Sequence, residues 1–529
     1  MLKRIRIANT IFICLVLLLC ARVGFLAIAE GKNLARQAVA QRTRTVPLTQ
    51  ARGVIYDRNM LAITEGQSRT SAAVLPEKCG NLAEVQQILG KRVKPEGVQV
   101  FALESLEDIE KLSGYGGVMI TNISERYSQK GTLSHVIGYA PVGSSGFGLE
   151  KSLDNILKQT PQNRITSFTD AKRDDITGLG SHLSSHPTMQ GVQLTIDYHI
   201  QEICEQALRD SLNNGAAIVV DASSGDILAL ASCPSFTQAT LAEYLDKNNA
   251  ELTNRAMQSY DMGSAFKIVM TAAAIENAVA TPESNYFCNG GISIDGKNFV
   301  CNNLSGHGHI TLSSGFAYSC NIPFYTLGKS LGQEKIVDMA KKFGIGSTVL
   351  DGLLEESAGV LPDYKYPTTG DICNISIGQG ALSATPLQMA SIVTTVVNGG
   401  IKKPLNLLKG YVADDGITIT PEQTRPATRV ISNYTADTIC DMMRDGVTFG
   451  TGQSAAIDDW GAGGKTGSAE TGWLSEGKTM THGWFVGFFP AKNPRYVCVV
   501  LAENGKRGGT SAAPVFEAIG EGIKGLNRE

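Results

Sequence analysis

Ser264 and Lys267 stand three residues apart in Met262-Gly263-Ser264-Ala265-Phe266-Lys267. On one helical turn that spacing sets an amine beside a hydroxyl. A serine hydroxyl attacks only when a base takes its proton. A free lysine, with a pKa of about 10.4, is protonated near neutrality, and burial or a neighbouring cation lowers that value. Lys465, in Lys465-Thr466-Gly467, can supply the cation, and Ser319-Cys320-Asn321 lies between the two. In this arrangement Ser319 can relay a proton to a leaving amine, and Asn321 can hold an amide and steady Lys267. Thr466 and Ser468 can bind a carboxylate through their hydroxyls, and Gly467 lets a ligand backbone approach its strand. The N–H groups of Ser264 and Ser468 are candidate donors to an oxyanion. The chemistry is acyl transfer through a serine ester. Singly, each fragment is commonplace: a helix cap, a polar turn, a strand end. Their order carries the reading. Ser319 follows Ser264 by 55 residues and Lys465 follows Ser319 by 146, so the fold must join distant segments.

The elements that do so are legible as patterns. Tyr198 to Leu212 fits an amphipathic helix, with Ile200, Ile203, Cys204, Ala207 and Leu208 at helical spacing. Ala216–Asp221 and Ile227–Ala231 read as a hairpin apolar on both faces. Phe266 to Ile275 is a buried helix with Ser264 at its start, where unpaired N–H groups and the helix dipole favour negative charge. Trp484–Phe489 and Tyr496–Leu501 form a second strand pair, Lys465-Thr466-Gly467 the adjoining strand, and Ala513–Ile523 a closing helix. The fold class is therefore α/β of the α+β type, an antiparallel sheet flanked by helices. Three regions are expected: 1–30, a cytoplasmic tip and membrane anchor; 31–188, a stalk and mixed domain; and 189–529, the domain that holds the chemistry. Gly31 to Gln50 reads as a helix-prone stalk and Asn163 to Pro187 as an exposed boundary. Asp57 and Arg58 read as a turn with a local ion pair.

The 529 residues carry a net charge of −3 and 43% hydrophobic side chains, a globular composition that implies no nucleic-acid partner. Eleven cysteines are scattered without framework spacing. Cys288 and Cys301 flank a glycine-rich segment and are either bridged or two thiols, while Cys320 reads as a small packed side chain. No cysteine or histidine spacing of the zinc type is visible, and His307-Gly308-His309 reads as a loop, so no metal and no cofactor are expected. Trp473 and Trp484 read as packing residues. Lys3, Arg4 and Arg6 precede an apolar run from Ile7 that Arg22 interrupts before Val23–Ala29. The run reads as a single-pass anchor, with the chain's bulk outside the cytoplasm; a cleaved signal is the alternative.

With these residues in place, the chain resembles the class B penicillin-binding proteins, the monofunctional peptidoglycan transpeptidases. The resemblance extends to Arg52–Asn59, Glu125-Arg126-Tyr127, His135–Tyr139 and Gly146–Leu149, all in regions that look like the family's pedestal domain. In the catalytic domain it includes Gly378-Gln379-Gly380, Thr385-Pro386-Leu387-Gln388-Met389-Ala390, Asn398-Gly399-Gly400, Gly450-Thr451-Gly452 and Gly464–Glu470. Met262 departs from the usual proline, and Ser468 from a frequent threonine. The resemblance implies the penicillin-binding transpeptidase fold and a D,D-transpeptidase acting on D-Ala-D-Ala stem peptides. It implies Ser264 as nucleophile and the target of β-lactams, and partners among wall-synthesis proteins, including a SEDS-type polytopic glycosyltransferase. Other readings are a D,D-carboxypeptidase or β-lactamase giving the acyl group to water, a β-lactam sensor, and a non-catalytic scaffold of a cell-wall complex.

Overall fold

The computed structural model describes residues 2–34, 43–47, 52–65, 67–103, 105–142, 145–158, 164–168, 181–184, 190–245, 250–475 and 478–527. Most of the expected stalk and of the Asn163–Pro187 boundary lies outside them. The chain divides into two interleaved compact units. The first holds Met1–Arg52, Ser68–Ile123 and Thr160–Thr188; the second holds Gly53–Gln67, Ser124–Gln159 and Met189–Glu529.

In the first unit α1 (Leu2–Ile28) is one continuous helix, long and apolar enough to cross a membrane. Arg22 does not break it; its guanidinium lies 5.6 Å from the Phe25 ring centre. A three-stranded sheet has Gln67–Val74 between Gln99–Ala102 and Val118–Glu125. Ala72, Val74, Val85, Val93, Leu103 and Leu112 form its core.

The second unit is built on a five-stranded antiparallel sheet. Its strands are β1 (Gly215–Asp221), β2 (Ile227–Cys233), β7 (Gly463–Ser475), β8 (Lys478–Phe489) and β9 (Tyr496–Ala502), in the order β2-β1-β9-β8-β7. Successive strand residues point to opposite faces, so an all-apolar strand needs cover on both. Ala216, Ile218 and Val220 join a core with α3 (Lys267–Glu276), α6 (Pro386–Val397) and α7 (Asn433–Thr448). Ala217 and Val219 join another with α2 (Tyr198–Ser211) and α8 (Gly508–Leu526). The expected hairpins are present, with Ile218 opposite Leu230 and Val486 opposite Val499.

Caps set the helix starts. The Asp197 carboxylate accepts from the His199 and Ile200 N–H groups at the head of α2. Thr385 and Gln388 form a reciprocal capping box on α6, with Pro386 in its first turn. The Gln388 amide then donates to the Ala358 and Ser347 carbonyls, so this stretch is a structural clamp.

The segment opening at Gly53 belongs to the second unit. Val54–Tyr56 pairs in parallel with Gly191–Leu194, which continues to Leu408–Val412 and Ile419–Pro421. The Asp57 carboxylate accepts from the Asn59 and Leu61 N–H groups, so the turn is as expected. Among the described residues no ion pair joins Asp57 to Arg58, because that carboxylate is spent on the turn. Arg126 donates to Glu150, Glu65 and the Gly53 carbonyl, tying together segments far apart in sequence.

Candidate active site

Ser264 lies in a 3-10 turn, Gly263–Phe266, and α3 begins at Lys267. The helix start is thus one residue later than its apolar pattern implies, and the serine sits in the lead-in turn. Gly263 is held between two backbones. Its N–H donates to the Gly378 carbonyl at 2.9 Å. A Cβ on Gly263 would lie 2.4 Å from the Ser468 carbonyl oxygen. The turn that carries Ser264 therefore rests against β7. Among the described residues the Ser264 hydroxyl makes no hydrogen bond.

Lys267 is wholly buried and reaches the turn between α4 (Leu312–Ala317) and α5 (Ile322–Phe343). Its Nζ donates to the Ser319 carbonyl at 2.8 Å, the Cys320 carbonyl at 3.2 Å and Asn321 Oδ1 at 2.8 Å. Asn321 thus steadies Lys267. Lys465 enters from β7, also buried, and its Nζ donates to Ser319 Oγ at 2.9 Å and to the Thr466 carbonyl at 3.0 Å. Ser319 is thus gripped at its carbonyl by one lysine and at its hydroxyl by the other. Two lysines rank among the largest fully buried side chains of the molecule. An unpaired ammonium in such surroundings costs several kcal/mol, which no packing need explains.

Burial pulls the Lys267 ammonium down to about 7, with Cys320 and Cys301 acting in the opposite direction. Burial, then repulsion from Lys267, holds Lys465 well below its ordinary value. Two cations this close do not both retain protons easily.

Ser264, Ser319, Asn321, Thr466 and Ser468 line one cleft of about 1000 Å³, with the two lysines beneath it. Thr451, from Gly450-Thr451-Gly452, joins them, its hydroxyl 2.6 Å from that of Thr466. The reading from side-chain chemistry passed over it; its signal was the flanking glycines. Gln379, Lys506 and Arg507 also line the cleft and were not anticipated. Gly467 has a packing reason of its own. A Cβ there would lie 2.7 Å from the Met262 carbonyl and 3.0 Å from the Trp484 side chain. Its missing side chain admits the turn that carries Ser264. Trp484 is fully buried and donates from Nε1 to the Asp261 carbonyl at 2.9 Å, as a packing residue should. The Trp473 side chain lies outside the described residues.

Residues 215–521 match the penicillin binding protein transpeptidase domain family. The chain belongs to that family. It is 30% identical to penicillin-binding protein PbpB of Mycobacterium tuberculosis, over 98% of this chain and 84% of that one. It is 28% identical to peptidoglycan D,D-transpeptidase MrdA of Acinetobacter baumannii, over 96% and 86%. The crystal structure of penicillin binding protein 3 from Mycobacterium tuberculosis, complexed with aztreonam, superposes with a TM-score of 0.67 at 27% identity. That superposition covers 92% of this chain and 97% of the other.

One gathering falls outside this frame. Cys288, Cys301, His307 and Cys320 meet directly behind the Ser319 turn, with their donor atoms all within 4.8 Å of one another. No disulfide joins Cys288 to Cys301. His307 lies in a loop, as expected, and only the hairpins bring its ring nitrogen beside the cysteines.

Proposed function

We propose that this transpeptidase cross-links peptidoglycan, taking a D-Ala-D-Ala stem peptide as donor through an ester on Ser264. One observation carries the assignment of roles: both buried lysines converge on Ser319, next to the cleft that Ser264 lines. Ser264 Oγ attacks the penultimate D-Ala carbonyl as Lys267 takes its proton. The N–H groups of Ser264 and Ser468 receive the oxyanion, each such donor contributing about 3 kcal/mol. The C–N bond breaks, and the departing D-Ala amine receives a proton through Ser319, supplied from the lysine side. Thr466 and Ser468 hydroxyls hold the donor carboxylate, with Lys465 as the positive charge. An acceptor amine then attacks the ester and loses a proton to Lys267, which returns it to Ser264 Oγ as the ester C–O bond breaks and the new amide departs. A β-lactam acylates the same oxygen by ring opening.

α1 anchors the chain in the membrane, with the basic start inside and the catalytic unit outside. The regions follow as anchor (1–30), stalk and pedestal (31–188) and transpeptidase domain (189–529). A SEDS-type glycosyltransferase is the proposed partner that supplies nascent strands.

Ser264→Ala will abolish covalent labelling by fluorescent penicillin while the thermal transition persists; labelling at another residue would overturn the nucleophile. With a stem-peptide thioester and an acceptor D-amino acid, the exchanged amide will form faster than the hydrolysed acid. Dominant hydrolysis would make the enzyme a carboxypeptidase.

A further inference from the structure

We propose that a further cleft of the second unit, where the tail of α5 meets the head of α6, binds a sugar phosphate.

The cleft holds about 320 Å³, at the small end of the range for small-molecule pockets. None of its lining residues lines the Ser264 cleft. Three segments wall it. α5 ends there at Phe343, and Gly344 closes the helix at φ +106°. α6 presents Gln388 and Ser391, one turn apart on one face. The third wall is a strand pair: β3 (Ile401–Lys402) runs antiparallel to β6 (Thr428–Arg429), with Lys402 opposite Thr428. Between them the chain makes the hairpin of β4 (Leu408–Val412) and β5 (Ile419–Pro421) and returns.

Every charged residue that lines the cleft is basic: Lys342, Lys402, Lys403 and Arg425. Two are answered by exposed carboxylates, Lys342 by Asp338 at 2.8 Å and Arg425 by Asp351 at 3.0 Å. Lys403 donates to the Ser223 carbonyl, which leaves its charge uncompensated. Lys402 is half-buried and, among the described residues, pairs with nothing; burial, then Arg425, lowers its pKa. A side chain at Gly344 would strike its Nζ, so the glycine that ends α5 also makes room for this ammonium. A lysine that merely capped α5 would donate to a carbonyl of the last turn, and among the described residues Lys402 donates to none.

Unspent hydroxyls stand beside these cations. Ser391 is 3% exposed, and its Oγ has no partner among the described residues. Thr348 and Thr428 offer hydroxyls in the same state. Gln388 has nothing to spare, since its Oε1 accepts from the Thr385 N–H and its Nε2 donates to the Ser347 and Ala358 carbonyls. A carboxylate brings one charge and two oxygens. A phosphate monoester brings a charge near −2 and three strong acceptor oxygens, enough for both uncompensated ammonium groups and the hydroxyls. Phe343, Val349 and Leu405 supply apolar wall for the carbon face of a sugar, and the small volume favours a single ring over a chain. This binding does not rest on the function proposed above.

The full chain in detergent, titrated calorimetrically with N-acetylglucosamine 1-phosphate at low salt, will bind one equivalent. Inorganic phosphate will bind roughly tenfold more weakly, and N-acetylglucosamine will give no heat. Lys402→Met will weaken binding of the sugar phosphate roughly tenfold and Ser391→Ala roughly threefold. Lys492→Met, exposed on the turn after β8, will leave it unchanged. Saturating sugar phosphate will raise the thermal transition of the wild type and not that of Lys402→Met, which separates lost binding from lost folding. Ser264→Ala will bind as the wild type does, so a wrong nucleophile and a wrong site are separable. Absence of both heat and thermal shift with the sugar phosphate would overturn the site. Equal affinity for inorganic phosphate would reduce the ligand to a bare ion, and equal weakening in Lys492→Met would make the attraction one of general charge; either result overturns the assignment.

Discussion

Ser319 occupies a left-handed backbone conformation, φ +56°, that ordinary side chains avoid at a cost of about 1–2 kcal/mol. It is held there from both ends, by Lys267 on its carbonyl and Lys465 on its hydroxyl. If the hydroxyl carries the proton to the leaving amine, Ser319→Ala will cut penicillin acylation by about 10²-fold, the usual worth of a positioned proton donor. Its stability should fall by only about 1–3 kcal/mol, because the buried Lys465 loses one acceptor while alanine takes the same backbone at similar cost. Stopped-flow labelling at an undiminished rate would remove Ser319 from the proton path. The gathering of Ser264, Lys267, Ser319, Asn321 and Lys465 at one cleft was legible in sequence because covalent chemistry restricts residue type and order together. Cys288, Cys301 and His307 were not. They stand 13 and 6 residues apart, outside short ligand spacings, and only the hairpin ends bring them together. Gly467 was legible as a necessary glycine but not for its reason, since a close approach names no partner until the Met262 carbonyl is seen beside it.

The turn that carries Ser264 is an element too short to have a periodicity, and its position is decided by neighbours. Gly378 supplies the carbonyl that receives the Gly263 N–H. At φ +75° a Cβ on Gly378 would lie 2.1 Å from the Gly263 carbonyl oxygen. Gly378→Ala will therefore push the Ser264 turn off β7. Labelling should fall more than tenfold, and stability by about 1–2 kcal/mol for the left-handed backbone alone. Denaturant titration and penicillin labelling read the two effects separately, and normal labelling would mean that Gly378 does not support the turn. The longer elements were readable in advance because apolar runs on β1 and β9 demand two covered faces. Thr385 to Ala390 was readable only as a family mark. The structure gives its physical content, a capping box whose glutamine also clamps two loops.

Across the whole molecule, the interleaving of the two units escaped a linear reading: the polar stretch from Asn163 to Pro187 lies between two of the crossings, but no comparable shift in composition marks those near Gly53, Ser68 and Ser124. Residues 124–159 bring His135 into the second unit, where its Nε2 meets the Glu251 carbonyl at 2.6 Å and its ring stands edge-on to Phe236. Burial, with Arg255 nearby, pulls its pKa from 6.5 to about 4 against the pull of that carbonyl. The folded chain thus keeps the neutral ring while the unfolded chain takes up a proton below about 6.5. Stability from this residue is intact above that pH and declines as pH falls towards 4, by about 3 kcal/mol in all. Urea unfolding at pH 7 and pH 4.5 should show a steeper loss for the wild type than for His135→Gln; equal losses would mean that His135 is protonated in the native state.

The parallel pairing of Val54–Tyr56 with Gly191–Gln193 has a consequence for biogenesis. The ribosome makes the first strand 137 residues before its partner, roughly ten seconds at ordinary elongation rates. During that interval the early strand has no ladder to join. It is an open edge that any extended segment can engage.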